Sequence, residues 1–230
     1  MLDRRAQREP VSTITGQREF RGLVFEVDPA VLTPRPETEL LVDETLRLAA
    51  GWNGSVRRIV DAGTGSGCIA VALATELPAA RMVATDISAA ALAVARRNAV
   101  RHRVRDRIAW VRTSWLDGVA GAPDVIVANP PYVRDGDLAS LPPEVRGFEP
   151  RLALAGGPDG LDAIRTLLRA AAERLPVGGH LVMEVGAGQM GTVRAAAGRH
   201  PRLAVTRIRR DLQHIERAIV IQRVPAAGRR

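Results

Sequence analysis

From Arg58 onward the chain alternates short apolar runs with longer segments whose apolar positions recur at helical spacing. Ile59-Val60, Met82-Val83-Ala84, Ile108-Ala109-Trp110-Val111, Val125-Ile126-Val127-Ala128 and Leu181-Val182-Met183-Glu184-Val185 read as buried strands. Leu203 to Ile208 and Glu216 to Ile221 add two more. Between them the spacing predicts a helix from Cys68 to Leu77, stopped by Pro78, and another from an N-cap at Ser88 through Val100. Further helices are predicted from Leu161 to Leu175 and from Gln189 to Ala197. Strands alternating with helices imply an α/β fold, a seven-stranded and mostly parallel sheet with helices on both faces.

The N-terminal part has a different pattern. Residues 1–15 are polar and arginine-rich and predict a frayed or weakly helical lead. Glu19-Phe20-Arg21 and Leu23 to Val27 flank Gly22, as in a short hairpin. Thr33 or Pro36 starts an amphipathic helix that runs to about Ala50, with Glu37 and Glu39 at its positive end. Gly51-Trp52-Asn53-Gly54-Ser55 then breaks the chain. The expected division is an N-terminal extension over 1–54 and a main domain over 55–230. Proline and glycine crowd Asp135 to Pro158, which predicts an irregular stretch and a candidate lid.

Composition narrows the class. With 230 residues, 46% hydrophobic and 25% charged, the chain can bury one substantial core plus an appendage. No apolar run approaches the ~18 residues of a membrane span, and the N-terminus lacks the apolar core of a signal peptide. The single Cys68 excludes an internal disulfide and agrees with a reducing compartment, so a cytoplasmic protein is expected. The net charge of +8 suggests nucleic acid, but all 33 basic residues are arginine and they are scattered. An aromatic content of 3% leaves few stacking platforms. A weak contact with an RNA-rich partner through the basic surface stays open, and base readout is not indicated. The four histidines show no metal-ligand spacing, so no metal is expected. Cys68 reads as a small core residue and Arg209-Arg210-Asp211 as surface charge.

Two loops carry the chemistry. Asp61-Ala62-Gly63-Thr64-Gly65-Ser66-Gly67 lies between a strand and a helix, where glycine lets the backbone turn tightly and approach a ligand at the helix N-terminus. A dinucleotide fingerprint needs glycine where Cys68 stands, so the pattern suits a compact zwitterion better than a pyrophosphate. Its form resembles the S-adenosyl-L-methionine (SAM) loop of Rossmann-like methyltransferases. Asp86 ends the next strand about 20 residues on, placed to accept the hydroxyls of a ribose. Trp115, within Thr113 to Asp117, either stacks near an adenine or fills the core beneath a loop. The second loop is Asn129-Pro130-Pro131-Tyr132, at the end of an apolar strand. Two prolines stiffen it, remove two donors and push Asn129 out of helical geometry. It is either an ordinary strand exit or a grip for a planar amino group.

Together these residues resemble the release factor glutamine methyltransferases, a match that runs from Ile14 to Arg223 and includes Thr33-Pro34-Arg35-Pro36-Glu37-Thr38-Glu39 and Phe148 to Leu154. The resemblance implies a Rossmann-like class I fold that uses SAM and yields S-adenosyl-L-homocysteine. Its substrate would be the glutamine of the Gly-Gly-Gln motif of peptide-chain release factors, with a role in translation termination. It implies SAM contacts at Gly63, Thr64, Gly65, Ser66, Gly67, Asp86, Trp115 and Asn129. It places the glutamine amide against Asn129, Pro130, Pro131 and Tyr132, of which Asn129, Pro130 and Tyr132 are catalytic, with Arg35 and Glu37 lining the substrate cleft. Glu149 pairs with Arg35 or orients its loop. Two departures stand out. Ser114 occupies a position that is often acidic in the family, with Asp117 three residues on as a substitute. Only about 15 residues precede the hairpin segment, so most of the family's N-terminal helical domain is expected to be missing. The alternatives are an amino-methyltransferase acting on adenine or guanine in nucleic acid, which shares the Asn-Pro-Pro-Tyr signature, and an inactive SAM-binding partner subunit.

Overall fold

A computed structural model describes residues 1–52 and 57–226. The expected boundary between residues 54 and 55, with Asn53, Gly54 and Ser55 of the predicted break, lies outside the described residues. Two short helices, α1 (Leu2–Ala6) and α2 (Val11–Thr15), lead into the antiparallel hairpin of β1 (Gln17–Phe20) and β2 (Leu23–Glu26). A 3-10 turn over Pro36–Thr38 opens α3 (Glu39–Ala49), with Pro36 at the first position, where its missing N–H costs nothing.

The predicted alternation follows: β3 (Arg58–Ala62), α4 (Cys68–Glu76), β4 (Arg81–Asp86), α5 (Ala89–Arg101), β5 (Ile108–Arg112) and β6 (Val125–Ala128). After a longer connection that includes α6 (Pro143–Arg146) come α7 (Asp162–Arg174), β7 (His180–Glu184), α8 (Met190–Gly198), β8 (Leu203–Arg210) and β9 (Glu216–Arg223). Ser88 caps α5 as expected, its Oγ accepting from the Ala91 N–H at 3.1 Å. The sheet order is β5-β4-β3-β6-β7-β9-β8, parallel from β5 to β7, with β9 antiparallel to both β7 and β8. This is the seven-stranded, mostly parallel sheet of the sequence reading.

Alternation along the strands assigns the two layers. Ile59, Met82, Val125 and Val127 join α3, α4 and the hairpin residues Phe20 and Phe25 in one buried cluster. Val60, Val83, Ile126 and Leu181 face α7 and α8 in the other. Asn98 of α5 ties the hairpin to the first functional loop: its amide nitrogen donates to the carbonyls of Glu26 and Ser66, both at 2.9 Å, and its oxygen accepts the Glu26 N–H at 2.7 Å.

Two expectations need correcting. Residues 135–158 are not irregular. They hold 3-10 turns over Asp135–Ser140 and Arg151–Ala153, the short α6, and a bridge between Val133 and Ala155. Pro142 and Pro143 start a helical turn here instead of preventing one. Arg209 is not plain surface charge either: with Arg47 and Arg207 it surrounds the carboxylate of Glu44, which is fully buried on α3. Several other arginines clamp main-chain carbonyls. Arg107 donates to those of Ala74 and Leu77 at the end of α4, and Arg174 to those of Leu116, Val119 and Gly121.

Candidate active site

In a parallel sheet, ligands bind where the strand order reverses, beyond the carboxyl ends. Here that point lies between β3 and β6, which are neighbours although two strands separate them in sequence. The loops leaving β3, β4, β5 and β6 all border one cavity of about 390 Å³. The size is that of an ordinary small-molecule site.

The first loop is built around Asp61. This side chain is completely buried, and its Oδ2 accepts from the Thr64 hydroxyl at 2.6 Å and the Ala70 N–H at 3.1 Å. Its Oδ1 is buried without a partner. Burial pushes the Asp61 carboxyl up to about 7, against the pull of those two hydrogen bonds. Asp61 does not itself border the cavity, which this loop reaches through Gly63, Thr64, Gly65 and Ser66, so its charge would act on a cationic ligand group from behind them. Gly63, Gly65 and Gly67 all have positive φ, for different reasons. A Cβ on Gly67 would lie 2.9 Å from the Ala95 Cβ, so this glycine lets α4 and α5 pack, whereas a Cβ on Gly65 would meet nothing within 4 Å. Asp86 is in register: its Oδ2 accepts the Gly65 N–H at 2.9 Å and its Oδ1 the Ser88 N–H at 2.8 Å. Each oxygen keeps a further lone pair for a hydroxyl donor.

Trp115 lines the cavity, and its ring lies so close to Gly63 that a Cβ there would be 3.2 Å from it. Its backbone is left-handed (φ 49°), a costly state for a large side chain, held by a 2.7 Å bond from the Thr85 hydroxyl to its carbonyl. The core packing is what the structure gives Trp115, which packs on the core cluster of α7 and α8 while one side of it borders the cavity. Ser114 borders the cavity, while Asp117 is exposed and does not.

The second loop sits on a buried polar chain. Asn129 Nδ2 donates to the Thr38 hydroxyl at 3.1 Å, Thr38 donates to Glu184 Oε2 at 2.6 Å, and the Tyr132 hydroxyl donates to Glu184 Oε1 at 3.3 Å. Thr38 and Glu184 are both buried. Burial pushes the Glu184 carboxyl up to about 7 and holds Tyr132 neutral by raising its pKa. Asn129 and Pro131 line the cavity; Pro130 is buried and Tyr132 sits behind the wall. Arg35 lines the cavity too, gripped by both oxygens of Glu149 at 2.7 Å, which is the expected pairing. Glu37 is not among the lining residues; its charge acts on Glu184, Tyr132 and Arg217 instead. Sequence reasoning missed Thr38 and Glu184 as site residues. The only signal was an acid at the end of an otherwise apolar central strand.

The methyltransferase small domain model matches residues 37–141. The chain is 47% identical to the release factor glutamine methyltransferase of Geobacter sulfurreducens over 84% of its own length and 66% of that protein's. It is 44% identical to that of Cereibacter sphaeroides over 98% of the chain and 78% of the relative. The chain belongs to the release factor glutamine methyltransferase family. It spans about two thirds to three quarters of the length of these glutamine methyltransferases. The fold agrees, with a methyltransferase from Pyrococcus furiosus superimposing at a TM-score of 0.66 and 17% identity over 98% of this chain and all of that one. The glutamine methyltransferases are SAM-dependent enzymes with this Rossmann-like class I fold. Family membership favours the glutamine branch over the nucleic-acid amino-methyltransferases that share the Asn-Pro-Pro-Tyr signature. Among the described residues no helix is long and apolar enough to cross a membrane, and no three metal-binding side chains come together.

Proposed function

We propose that the chain methylates the side-chain nitrogen of a glutamine, the one in the Gly-Gly-Gln motif of a peptide-chain release factor, in the cytoplasm. The observation that carries this reading is Asn129, whose Nδ2 is tied to Thr38 while its side chain borders the cavity, which leaves the Oδ1 end for a substrate N–H. SAM, bound by the Asp61 to Gly67 loop, Asp86 and Trp115, supplies an electrophilic methyl group on a positively charged sulfur.

An amide nitrogen is a weak nucleophile because its lone pair is delocalised into the carbonyl. Asn129 Oδ1 and the Pro130 carbonyl accept the two N–H bonds of the glutamine, which orients the nitrogen and stabilises the positive charge that grows on it. Pro131 stiffens the loop on the cavity side, and Tyr132 braces it from behind through its hydroxyl bond to Glu184. Arg35, held by Glu149, flanks the substrate entry, and Glu37 acts there through its charge. The buried charge of Asp61, beneath the Gly63 to Ser66 turn, favours the positively charged α-ammonium group of SAM.

The test is incubation with methyl-labelled SAM and either a release factor, its Gly-Gly-Ala variant, or bulk RNA and DNA. Label on the wild-type release factor alone is the expected result. Label on nucleic acid alone would establish the amino-methyltransferase reading instead.

A further inference from the structure

The polar chain behind Asn129 determines which end of its amide faces the cavity. A primary amide has one acceptor end and one donor end of nearly the same shape, and a half turn about the last side-chain bond exchanges them. Only the acceptor end can hold a substrate N–H. Something must therefore choose between the two orientations.

From this geometry we infer that Thr38 and Glu184 are positioning residues that lock the Asn129 amide with its oxygen toward the substrate. The inference rests on the glutamine reading of the site for its catalytic consequence, though not for its geometry. Glu184 ends β7, is fully buried, and receives the Thr38 hydroxyl at 2.6 Å, the short distance of an O–H to carboxylate bond. An ionised carboxylate only accepts, so the single Thr38 proton is committed to it. The Thr38 oxygen then meets Asn129 with lone pairs alone, and only the Nδ2 end can face it, as observed at 3.1 Å. The direction of every hydrogen bond in the chain follows from one negative charge.

That charge is itself conditional. Burial raises the Glu184 pKa to about 7. The hydrogen bond from Thr38 lowers it, the charge of Glu37 raises it, and Tyr132 and Arg217 lower it. When Glu184 is neutral its own proton can be given to Thr38, whose hydroxyl is then free to turn toward Asn129. A Thr38 donor selects the Oδ1 end, and the acceptor leaves the substrate side. Turnover at saturating SAM is therefore expected to rise with pH through about 7.

Three variants and one measurement on the enzyme alone test this. In wild type, the Asn129 Nδ2 proton that faces Thr38, observed with 15N label, should exchange with solvent more slowly than its twin; in Thr38→Val that difference should vanish, and in Thr38→Ser it should return. Thr38→Val should lower kcat by about 10–100-fold with a much smaller change in SAM affinity, since it takes the partner from Asn129 Nδ2 and from buried Glu184, and it should lower the melting temperature as well. Thr38→Ser should stay within about threefold in kcat, because the hydroxyl is restored. Glu184→Gln should remove the rise in kcat between about pH 6 and about pH 8. Wild-type kcat and a retained exchange difference in Thr38→Val would overturn the inference, as would an unchanged pH rise in Glu184→Gln. That pH profile decides the matter should Thr38→Val fail to fold. The exchange difference in wild type together with no methylation of any release factor would sink the functional reading and leave the amide lock standing.

Discussion

The two halves of the cavity are made differently. The half proposed for the cofactor is built mostly over short spans: Asp61 bonds to Thr64 and Ala70, Asp86 to Ser88, and the 21 positions from Gly65 to Asp86 cross only α4 and β4. The substrate half brings together residues far apart in the chain. Thr38 and Glu184 are separated by 146 positions, Asn129 and Thr38 by 91, and Arg35 and Glu149 by 114. A loop that closes on itself can be recognised from its spacing and tolerates change elsewhere in the molecule. A set of side chains gathered from the turn before α3, the loop after β6, the end of β7 and the segment between α6 and the Arg151–Ala153 turn depends on the whole fold being in register. The comparison teaches that the glycine-loop side of the cavity depends on short stretches of chain, whereas the Asn129 side depends on the tertiary structure.

Mutations can pull the halves apart. The largest effect is expected from Asn129→Ala, which removes one preorganised acceptor and should cost about 2.7–4 kcal/mol in the barrier, or about 10²–10³ in kcat. Isothermal titration should find SAM affinity much less affected. A loss of binding as large as the loss of rate would mean that the halves are not separable. Next in size is a contrast inside the cofactor half. Gly67→Ala meets the Ala95 Cβ at 2.9 Å with φ near 81° and should destabilise the fold by about 2–4 kcal/mol in urea unfolding. Gly65→Ala, open above its Cα, should cost about 1–2 kcal/mol from its backbone conformation and weaken mainly SAM binding. Equal stability losses in the two would show that the loop does not divide packing from binding in this way.

The smallest effect concerns Asp61. Its carboxyl is raised to about 7 in the folded chain, above its ordinary value of 3.8, so the fold holds this proton more tightly than the unfolded chain. The stability it contributes is full below about 4 and is lost as pH rises through about 7. SAM brings the opposite trend, because its ammonium group favours the ionised form. Binding should therefore tighten with pH up to about 7 and release protons, a release that calorimetry in buffers of different ionisation enthalpy measures. An affinity independent of pH, with no proton release, would remove Asp61 from the cofactor half.

The same contrast explains what the sequence disclosed. The strands, the helices, the Ser88 cap, the glycine loop and Asp86 were all legible, because each rests on a run of residues or a fixed spacing. Thr38 was legible only as part of the segment around Pro36, and Glu184 only as an acid closing an apolar strand. Their meeting depends on α3 packing beside the end of β7, which no local spacing reports. The stretch from 135 to 158 misled for a related reason. Its prolines looked like breakers, yet Pro143 sits at the first turn of a helix, the position proline favours. Trp115 could not be resolved between core and cavity because it touches the core cluster and borders the cavity as well.

The arginine clamps give the frame a stiffness that a lysine in the same places would not. A guanidinium carries several donors in a fixed plane, whereas an ammonium is a single rotating head on a flexible stem. Arg107 thereby holds two carbonyls at the end of α4 at once, Arg174 holds those of Leu116, Val119 and Gly121, and three guanidinium groups close on the buried carboxylate of Glu44. Each clamp fixes the direction as well as the distance of the chain it grips, so acidity can be tuned at Asp61 and Glu184 while the frame around them holds still.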